Sequence, residues 1–361
     1  MAVTINGDTG IDKVVDNTIT TDDIQDGAIT AAKIASGAVS GYDTPTTSTG
    51  YFALPSGTTA QRPGSATVGM LRYNTTKTGI ETWNGSVWNE IQSVPFTKSL
   101  SYLVIAGGGG GQSGTGGGGG AGGYRNSFAS ETSGGNSITE TPIGVPEGTP
   151  TVLTVTVGAG GAGNAIGVNS SITGTNISIV STYGGGGSGV AGGSGSGIAN
   201  NGTGGAGTIG QGFKGGNQSG WAGVYGCGGG GGAGQEGVIG TSAAPGNGGN
   251  GLSSSITGSA VTRAGGGGGG TYGSALYGLG GAGGGGNGAG ATNNNPGATN
   301  TGSGGGGSSD NLTTQGAGGS GVVILRIATA YYTGTTTGSP TVTTDGTDTV
   351  MVFNSSGTYT A

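Results

Sequence analysis

Hydrophobic positions in this chain form short β-branched runs, and each of the strongest runs borders a stretch of glycine. Tyr102–Ala106 and Val152–Val157 lead directly into glycines, and Gly321–Ile327 leaves the last glycine stretch. Their length and β-branched content predict buried or half-buried strands. Near the C-terminus, Thr341–Thr344 and Thr349–Thr360 predict two further strands around an Asp-Gly turn.

Before the first glycine run, polar and apolar residues alternate in a way that predicts a small β-meander. The alternation centres on Tyr73, Ile80 and Val87, and Asn84-Gly85 predicts a tight turn. Two or three short strands make a poor independent core. We therefore expect copies of this region to pack around an axis.

The first 48 residues carry a repeat of ten residues, in which Ile19, Ile29 and Val39 align and Gly27 aligns with Gly37. Each repeat is too small to bury its own apolar face, so we expect partner chains to order this segment. A frayed acidic tail is the alternative interpretation, because the segment contains seven acidic residues.

Glycine changes the picture most, since it supplies 97 of the 361 residues, in pure runs such as Gly107–Gly111 and Gly265–Gly270. Each glycine costs about 0.5–1 kcal/mol more backbone entropy on folding than alanine, so a geometric requirement must maintain the runs. A flexible linker is the plain alternative, but linkers do not carry such strands. The lack of a three-residue glycine period excludes collagen.

Extended polyglycine helices of the polyproline-II type meet this geometric requirement. They rise about 3.1 Å per residue, so the six residues Gly265–Gly270 would span about 19 Å, the length of an ordinary strand. Backbones without side chains approach closely and form hydrogen bonds with their neighbours. Layers of strands and polyglycine helices are therefore expected to stack.

Charge and hydropathy exclude several classes of function. The net charge is −6, with no basic patch, which argues against nucleic-acid binding. No apolar stretch is long enough to span a bilayer, and the N-terminus lacks the features of a signal peptide. We expect synthesis and assembly in a cytoplasm.

Three sequence patterns together resemble the tail-fibre and adhesin proteins of tailed bacteriophages, and they cover nearly the whole chain. They are the repeat ITTDDIQDGAITAAKIASGAVS, the segment GTTAQRPGSATVGMLRYNTT with IETWNGSVWNEI, and the glycine-rich YLVIAGGGGG, LTVTVGAGGAG and GSGVVILRI. The resemblance implies an N-terminal region that joins a virion tail or baseplate protein, a trimeric collar and a distal receptor-binding domain. It also implies a polyglycine-helix sandwich for that distal domain.

The predicted fold is mostly β with polyglycine-II helices, in four regions. They are an extended oligomerising attachment segment (1–48), a small β collar (49–95), a glycine-rich β/polyglycine sandwich (96–330) and C-terminal strands associated with it (331–361). An independent C-terminal trimerisation piece is the alternative for the last region.

The sequence offers little for catalysis. It contains no histidine, and its single cysteine, Cys227, lies beside a glycine run and is expected to be a small buried residue. Paired-carboxylate hydrolysis of glycosides stays open, although no long repeat of the tail-spike kind is present. We expect a protein without enzymatic activity, cofactor or metal.

Aromatic residues in the segments that interrupt the glycine runs are the candidate receptor contacts, because binding residues tend to lie on loops held by a rigid frame. Capping of the polyglycine layers is the structural alternative for each of them. A polar loop at 291–299 has no aromatic anchor. The candidates are Tyr124, Phe128, Trp221, Tyr225, Tyr272 and Tyr277.

The resulting hypothesis is a homotrimeric virion fibre that binds a bacterial surface protein or polysaccharide. A purely structural fibre or decoration protein is the alternative. An ice-binding polyglycine bundle is a third class, but the irregular spacing of the runs argues against it.

Overall fold

The computed structural model is mostly β, with no α-helix in the part of the chain that it describes. Its strands form several separate sheets, none closed into a barrel. No helix among these residues is long and apolar enough to cross a membrane. The predicted attachment segment 1–48 lies outside the described residues, which are 54–91, 97–148, 150–220, 223, 225–289, 295–310 and 314–361.

The chain divides into two compact units, one within residues 1–94 and the other within 95–361. We call the described parts of these the N-terminal unit (54–91) and the glycine-rich unit (97–361). The N-terminal unit is a four-stranded sheet of β1 (Ser56–Gly57), β2 (Leu71–Asn74), β3 (Gly79–Trp83) and β4 (Trp88–Ile91).

The N-terminal sheet has one strand more than the alternation predicts. Strands β2, β3 and β4 form an antiparallel meander, whereas β1 pairs in parallel with β2, with Ser56 opposite Tyr73. Two residues are too few to show an alternating pattern, so β1 has no sequence signal.

One face of this sheet holds a buried ionic cluster around Glu81. The Glu81 side chain is 1% exposed and accepts hydrogen bonds from Arg62 Nε (3.1 Å), Arg62 Nη2 (2.5 Å) and Asn74 Nδ2 (3.0 Å). The Arg72 guanidinium lies 3.5 Å from the same carboxylate. The hydrogen bonds from Arg62 are the main cause that lowers the pKa of Glu81 to about 2.

The glycine-rich unit contains the remaining strands. They are β5 (Thr97–Ile105), β6 (Tyr124–Asn126), β7 (Ile143–Pro146), β8 (Val152–Thr156), β9 (Ser170–Gly174), β10 (Ile177–Ser181), β11 (Tyr225–Gly226), β12 (Leu252–Ser254), β13 (Val261–Arg263), β14 (Thr271–Tyr272), β15 (Val322–Ala328), β16 (Thr336–Thr337), β17 (Thr341–Asp345), β18 (Asp348–Phe353) and β19 (Gly357–Thr360).

Two larger sheets form the base of this unit. One has the order β17-β18-β15-β5-β6, with β7 also paired to β5, and the other has the order β10-β9-β8-β19-β16. They enclose a hydrophobic core to which Tyr102, Leu153, Leu325 and Phe353 all contribute. The opposite face of β5 and β15 enters a second core, so both strands are buried on two faces and have continuous apolar sequences.

The C-terminal segment differs from its predicted organisation. Residues Thr349–Thr360 divide into β18, which pairs with β15, and β19, which pairs with β8 in the other sheet. A bend over residues 354–355 separates them, so a single predicted strand becomes two strands that join different sheets.

The glycine runs are linked by backbone hydrogen bonds with a three-residue period. In the run 107–112, the N–H groups of Gly107 and Gly110 donate to one segment (Val168 and Ala165), and those of Gly108 and Gly111 donate to a second (316–319). The N–H groups of residues 109 and 112 donate to a third segment, 117–120.

The carbonyl groups of the same run show the same period on the other side. The carbonyls of 107 and 110 accept hydrogen bonds from the N–H groups of 184 and 187. Those of 108 and 111 accept from the N–H groups of 161 and 164, and those of 109 and 112 from the N–H groups of 305 and 308. One run therefore has six neighbouring segments, and its backbone polar groups are all satisfied.

Close approach of these backbones is what excludes side chains. A Cβ atom on Gly109 would lie well inside van der Waals contact with the backbone carbonyl of Gly185, and one on Gly230 would collide with that of Gly119. The obstacle at both positions is backbone, which cannot move without breaking its own hydrogen bonds.

We expect Gly109→Ala to lower the free energy of unfolding by about 3 kcal/mol, because the methyl group has no space. The matched control is Gly144→Ala, where the new Cβ would meet the Thr97 side chain at an ordinary 3.6 Å. Urea unfolding followed by circular dichroism compares the two variants. Equal midpoints for both would contradict the close-packing argument.

The lowered pKa of Glu81 predicts a pH dependence for the N-terminal unit. The unfolded carboxyl takes up its proton near pH 4.5 and the folded one near pH 2, so the stabilisation is fully present above pH 4.5 and is lost as the pH falls towards 2. Hydrogen exchange of amides in 71–91 measures this loss. Glu81→Gln should weaken the unit at neutral pH and flatten its response between pH 4.5 and 2; an unchanged response would refute the assignment.

Candidate functional site

The glycine segments run between two ends of the glycine-rich unit. At one end they join strands: Gly107 follows β5, Gly123 precedes β6 and Gly321 precedes β15. We call this the sheet end. The opposite turns form the loop end, which comprises the described residues of 112–116, 163–165, 198–203, 217–220, 225–226, 241–245, 271–277 and 308–310.

Polar contacts tie the turns of the loop end to one another. Ser113 N donates to Asn164 Oδ1 (2.9 Å), and Gly114 N donates to Ser308 Oγ (2.7 Å). Elsewhere, Gly220 N donates to Asn201 Oδ1 (3.0 Å). These contacts join turns that are far apart in sequence.

Two candidate aromatic residues meet at this end. Strand β11 pairs antiparallel with β14 so that Tyr225 lies directly opposite Tyr272. Their rings are stacked, with centroids 5.2 Å apart and planes 9° from parallel. Such cross-strand aromatic pairs stabilise a short ribbon that two residues per strand would not hold alone.

Asp310 and Thr271 fix the loop that follows the tyrosine pair. The Thr271 hydroxyl is within hydrogen-bond distance of the Leu276 carbonyl (2.7 Å) and the Ser274 carbonyl (3.0 Å). Gly273 N donates to Asp310 Oδ2 at 3.2 Å. The loop is thus braced from within and from the neighbouring turn.

The braced loop presents large apolar side chains to solvent. Tyr272 is 44% exposed, Leu276 is 53% exposed and Tyr277 is 49% exposed. Just beyond this loop, Leu279 is also 53% exposed. The sequence did not single out the two leucines, because an aliphatic residue beside glycine is equally consistent with a core position. The exposure of Leu276, in the loop between two exposed tyrosines, is visible only in the structure.

The loop end is almost uncharged. In the sequence of the loop-end segments, Asp310 is the only charged residue. Burial is the main cause that raises the pKa of Tyr225, and the nearby Cys227, Tyr272 and Asp310 add to it. Among the described residues, no cluster of acidic or cysteine side chains is arranged to hold a metal ion.

Cys227 lies beneath the tyrosine pair, fully buried as expected for a packing residue. Burial raises the pKa of its thiol to about 12, so it stays protonated near neutral pH. This cysteine contributes volume to the glycine core.

The other candidate residues lie elsewhere. Tyr124 is fully buried in the second core, and Phe128 packs against that core with the Arg326 guanidinium 4.9 Å from its ring centroid. Both belong to the sheet end, where they serve packing. Trp221 lies outside the described residues, as do residues 291–294 of the polar loop 291–299.

A separate depression of about 450 Å³ lies near the sheet edges, beside β7 and β10. Its charged groups already satisfy one another: Glu140 accepts hydrogen bonds from Tyr102 Oη (2.7 Å) and from Arg125 Nε (2.9 Å) and Nη2 (2.5 Å). Burial and the hydrogen bond to Glu140 raise the pKa of Tyr102. This cluster links strand edges and leaves few groups for a ligand.

The comparisons with known proteins agree with the glycine architecture. A family model described as a glycine-rich domain matches residues 75–328, from the hairpin of the N-terminal unit to the end of β15. Neither the curated proteins nor the solved structures contain a match to the chain. Since the matched region exceeds half of the chain, this protein belongs to the glycine-rich domain family.

Proposed function

We propose that the protein is a bacteriophage tail-fibre protein that attaches the virion to a bacterial surface receptor through the loop end of its glycine-rich unit. The observation that carries this proposal is the exposed loop at the tyrosine pair. Tyr272, Leu276 and Tyr277 are between 44% and 53% exposed on a loop that is braced by Thr271 and Asp310. The sequence patterns shared with phage fibres supply the biological setting.

The scaffold itself is best explained as a bundle of polyglycine-II helices. Three residues per turn is the period at which the run 107–112 returns to the same neighbour. A helix with six hydrogen-bonded neighbours is held from all sides, so the loops at its end are fixed in position. Rigid presentation lowers the entropy cost of binding.

The chemistry of the loop end favours binding over catalysis. Stacked and exposed tyrosines provide large contact areas at low entropy cost. The sequence has no histidine, and Asp310 is the only charged residue in the loop-end segments. This surface therefore has few groups that could transfer protons and is better suited to binding.

The remaining parts of the proposal follow the phage resemblance. Residues 1–48 would join a virion tail or baseplate protein, and the region 49–95 would form a trimeric collar. The protein would be made in the host cytoplasm and act as part of the virion. Its receptor would be a bacterial surface protein or polysaccharide.

The experiment that tests this function is competition between the purified full-length protein and virions for adsorption to host cells. Saturable binding that blocks adsorption supports a receptor-binding fibre. If the folded protein neither binds cells nor slows adsorption, the chain is a structural component of the particle instead.

Within that assay, we expect Tyr272→Ala to weaken competition by at least tenfold, because it removes an exposed ring and the stacking partner of Tyr225. Ile209→Ala is the matched control, since Ile209 is 97% exposed but lies at the sheet end. Equal competition by both variants would place the receptor contact away from the tyrosine pair.

A further inference from the structure

The braced loop, residues 271–277, uses its polar side chains to hold its own shape. Apart from the two tyrosines, its only polar side chains are those of Thr271 and Ser274. The Thr271 hydroxyl lies within hydrogen-bond distance of two carbonyls of the loop, and the Ser274 hydroxyl accepts a hydrogen bond from Leu276 N (3.2 Å). Both hydroxyls are therefore engaged within the loop.

Polar side chains of other turns at the loop end are engaged in the same way. Gln218 Oε1 accepts a hydrogen bond from Asn201 N, and Gln218 Nε2 donates to the Gly220 carbonyl (2.8 Å). Asn201 Oδ1 accepts from Gly220 N (3.0 Å), and Asn217 Oδ1 accepts from Gly204 N (3.0 Å). These amide groups join turns to one another, so they have less capacity to bind the hydroxyl groups of a ligand.

The side chains that the braced loop presents to solvent are large and mainly apolar. Leu276 is the most exposed of them, and it lies between Tyr272 and Tyr277. A sugar can stack on a tyrosine ring, but its hydroxyl groups need hydrogen-bond partners when the contact removes them from water. A leucine supplies none. Against an apolar protein surface, the leucine and both rings bury area without that cost.

The charge of the loop end also distinguishes between receptor classes. Its segments contain no lysine or arginine, and Asp310 is their only charged residue. The carboxylate and phosphate groups of an acidic polysaccharide are best bound by arginine and lysine. The loop end offers these groups no cation, so its charge favours a neutral partner.

We infer that the receptor contact of the braced loop is an apolar patch on a bacterial surface protein. This assignment rests on the proposed receptor-binding function and adds the class of receptor. Tyr272, Leu276 and Tyr277 form the centre of the contact, as large buried side chains do in protein interfaces, and the surrounding turns form its polar rim.

Binding of the labelled full-length protein to host cells tests this receptor class. One sample of cells is treated with a protease that removes exposed surface proteins. A second is treated with periodate, which cleaves the vicinal diols of sugars, and a third is left untreated. The amount of protein bound at saturation is then compared among the three samples.

We expect the protease to lower the amount of bound protein at least tenfold and periodate to change it by less than about twofold. Binding that survives the protease, or that is lost after periodate, would overturn the inference, and the second result would assign the contact to a polysaccharide. If the protein does not bind untreated cells, the proposed function itself fails, and the receptor class fails with it.

A substitution in the loop gives a second measurement on untreated cells. Leu276→Ser replaces an exposed aliphatic group with a hydroxyl, so it should weaken binding at least tenfold. Ile138→Ser is the matched control, because Ile138 is 86% exposed and lies between β6 and β7, outside the loop end. Unfolding midpoints in urea establish that both variants are folded. Equal affinity of the two folded variants would contradict an apolar contact at Leu276.

Discussion

The glycine-rich unit depends on direct contact between backbones. When neighbouring extended segments donate and accept hydrogen bonds in six directions, they lie so close that a single methyl group strikes a carbonyl oxygen. At these contacts glycine is the only residue that fits, and its entropy cost is offset by the hydrogen bonds that the buried backbone groups make. A core of this kind is held together by hydrogen bonds in place of the apolar surface that fills most protein interiors.

The two sheets supply the side-chain packing that the glycine segments lack. Their side chains bury a conventional hydrophobic core, to which Tyr102 and Phe353 both contribute, and their strands fix where each glycine segment begins. The turns of the loop end take no part in either core, so their side chains are left to face solvent. In the N-terminal unit, Glu81 is buried on a sheet face that also carries Trp83 and Trp88.

The sequence predicted the strands and turns whose side chains form a recognisable pattern. Strands β5, β8 and β15 stand out by β-branched runs, and the hairpin turn between β17 and β18 by Asp-Gly. The partners of each glycine run were not predictable, because identical residues give no register signal. Tyr124 and Tyr272 have similar glycine-rich surroundings in the sequence, yet one is buried at the sheet end and the other is exposed at the loop end.

The six-neighbour arrangement also determines the order in which the unit can fold. The run at 107–112 is among the first glycine segments to leave the ribosome, yet its partners include 305–308 and 316–319, which are synthesised near the end of the unit. Contacts of such high sequence separation close slowly. During translation, the neighbours at 305–308 and 316–319 are therefore the last to join the run 107–112, after its partners within 117–187 have been made.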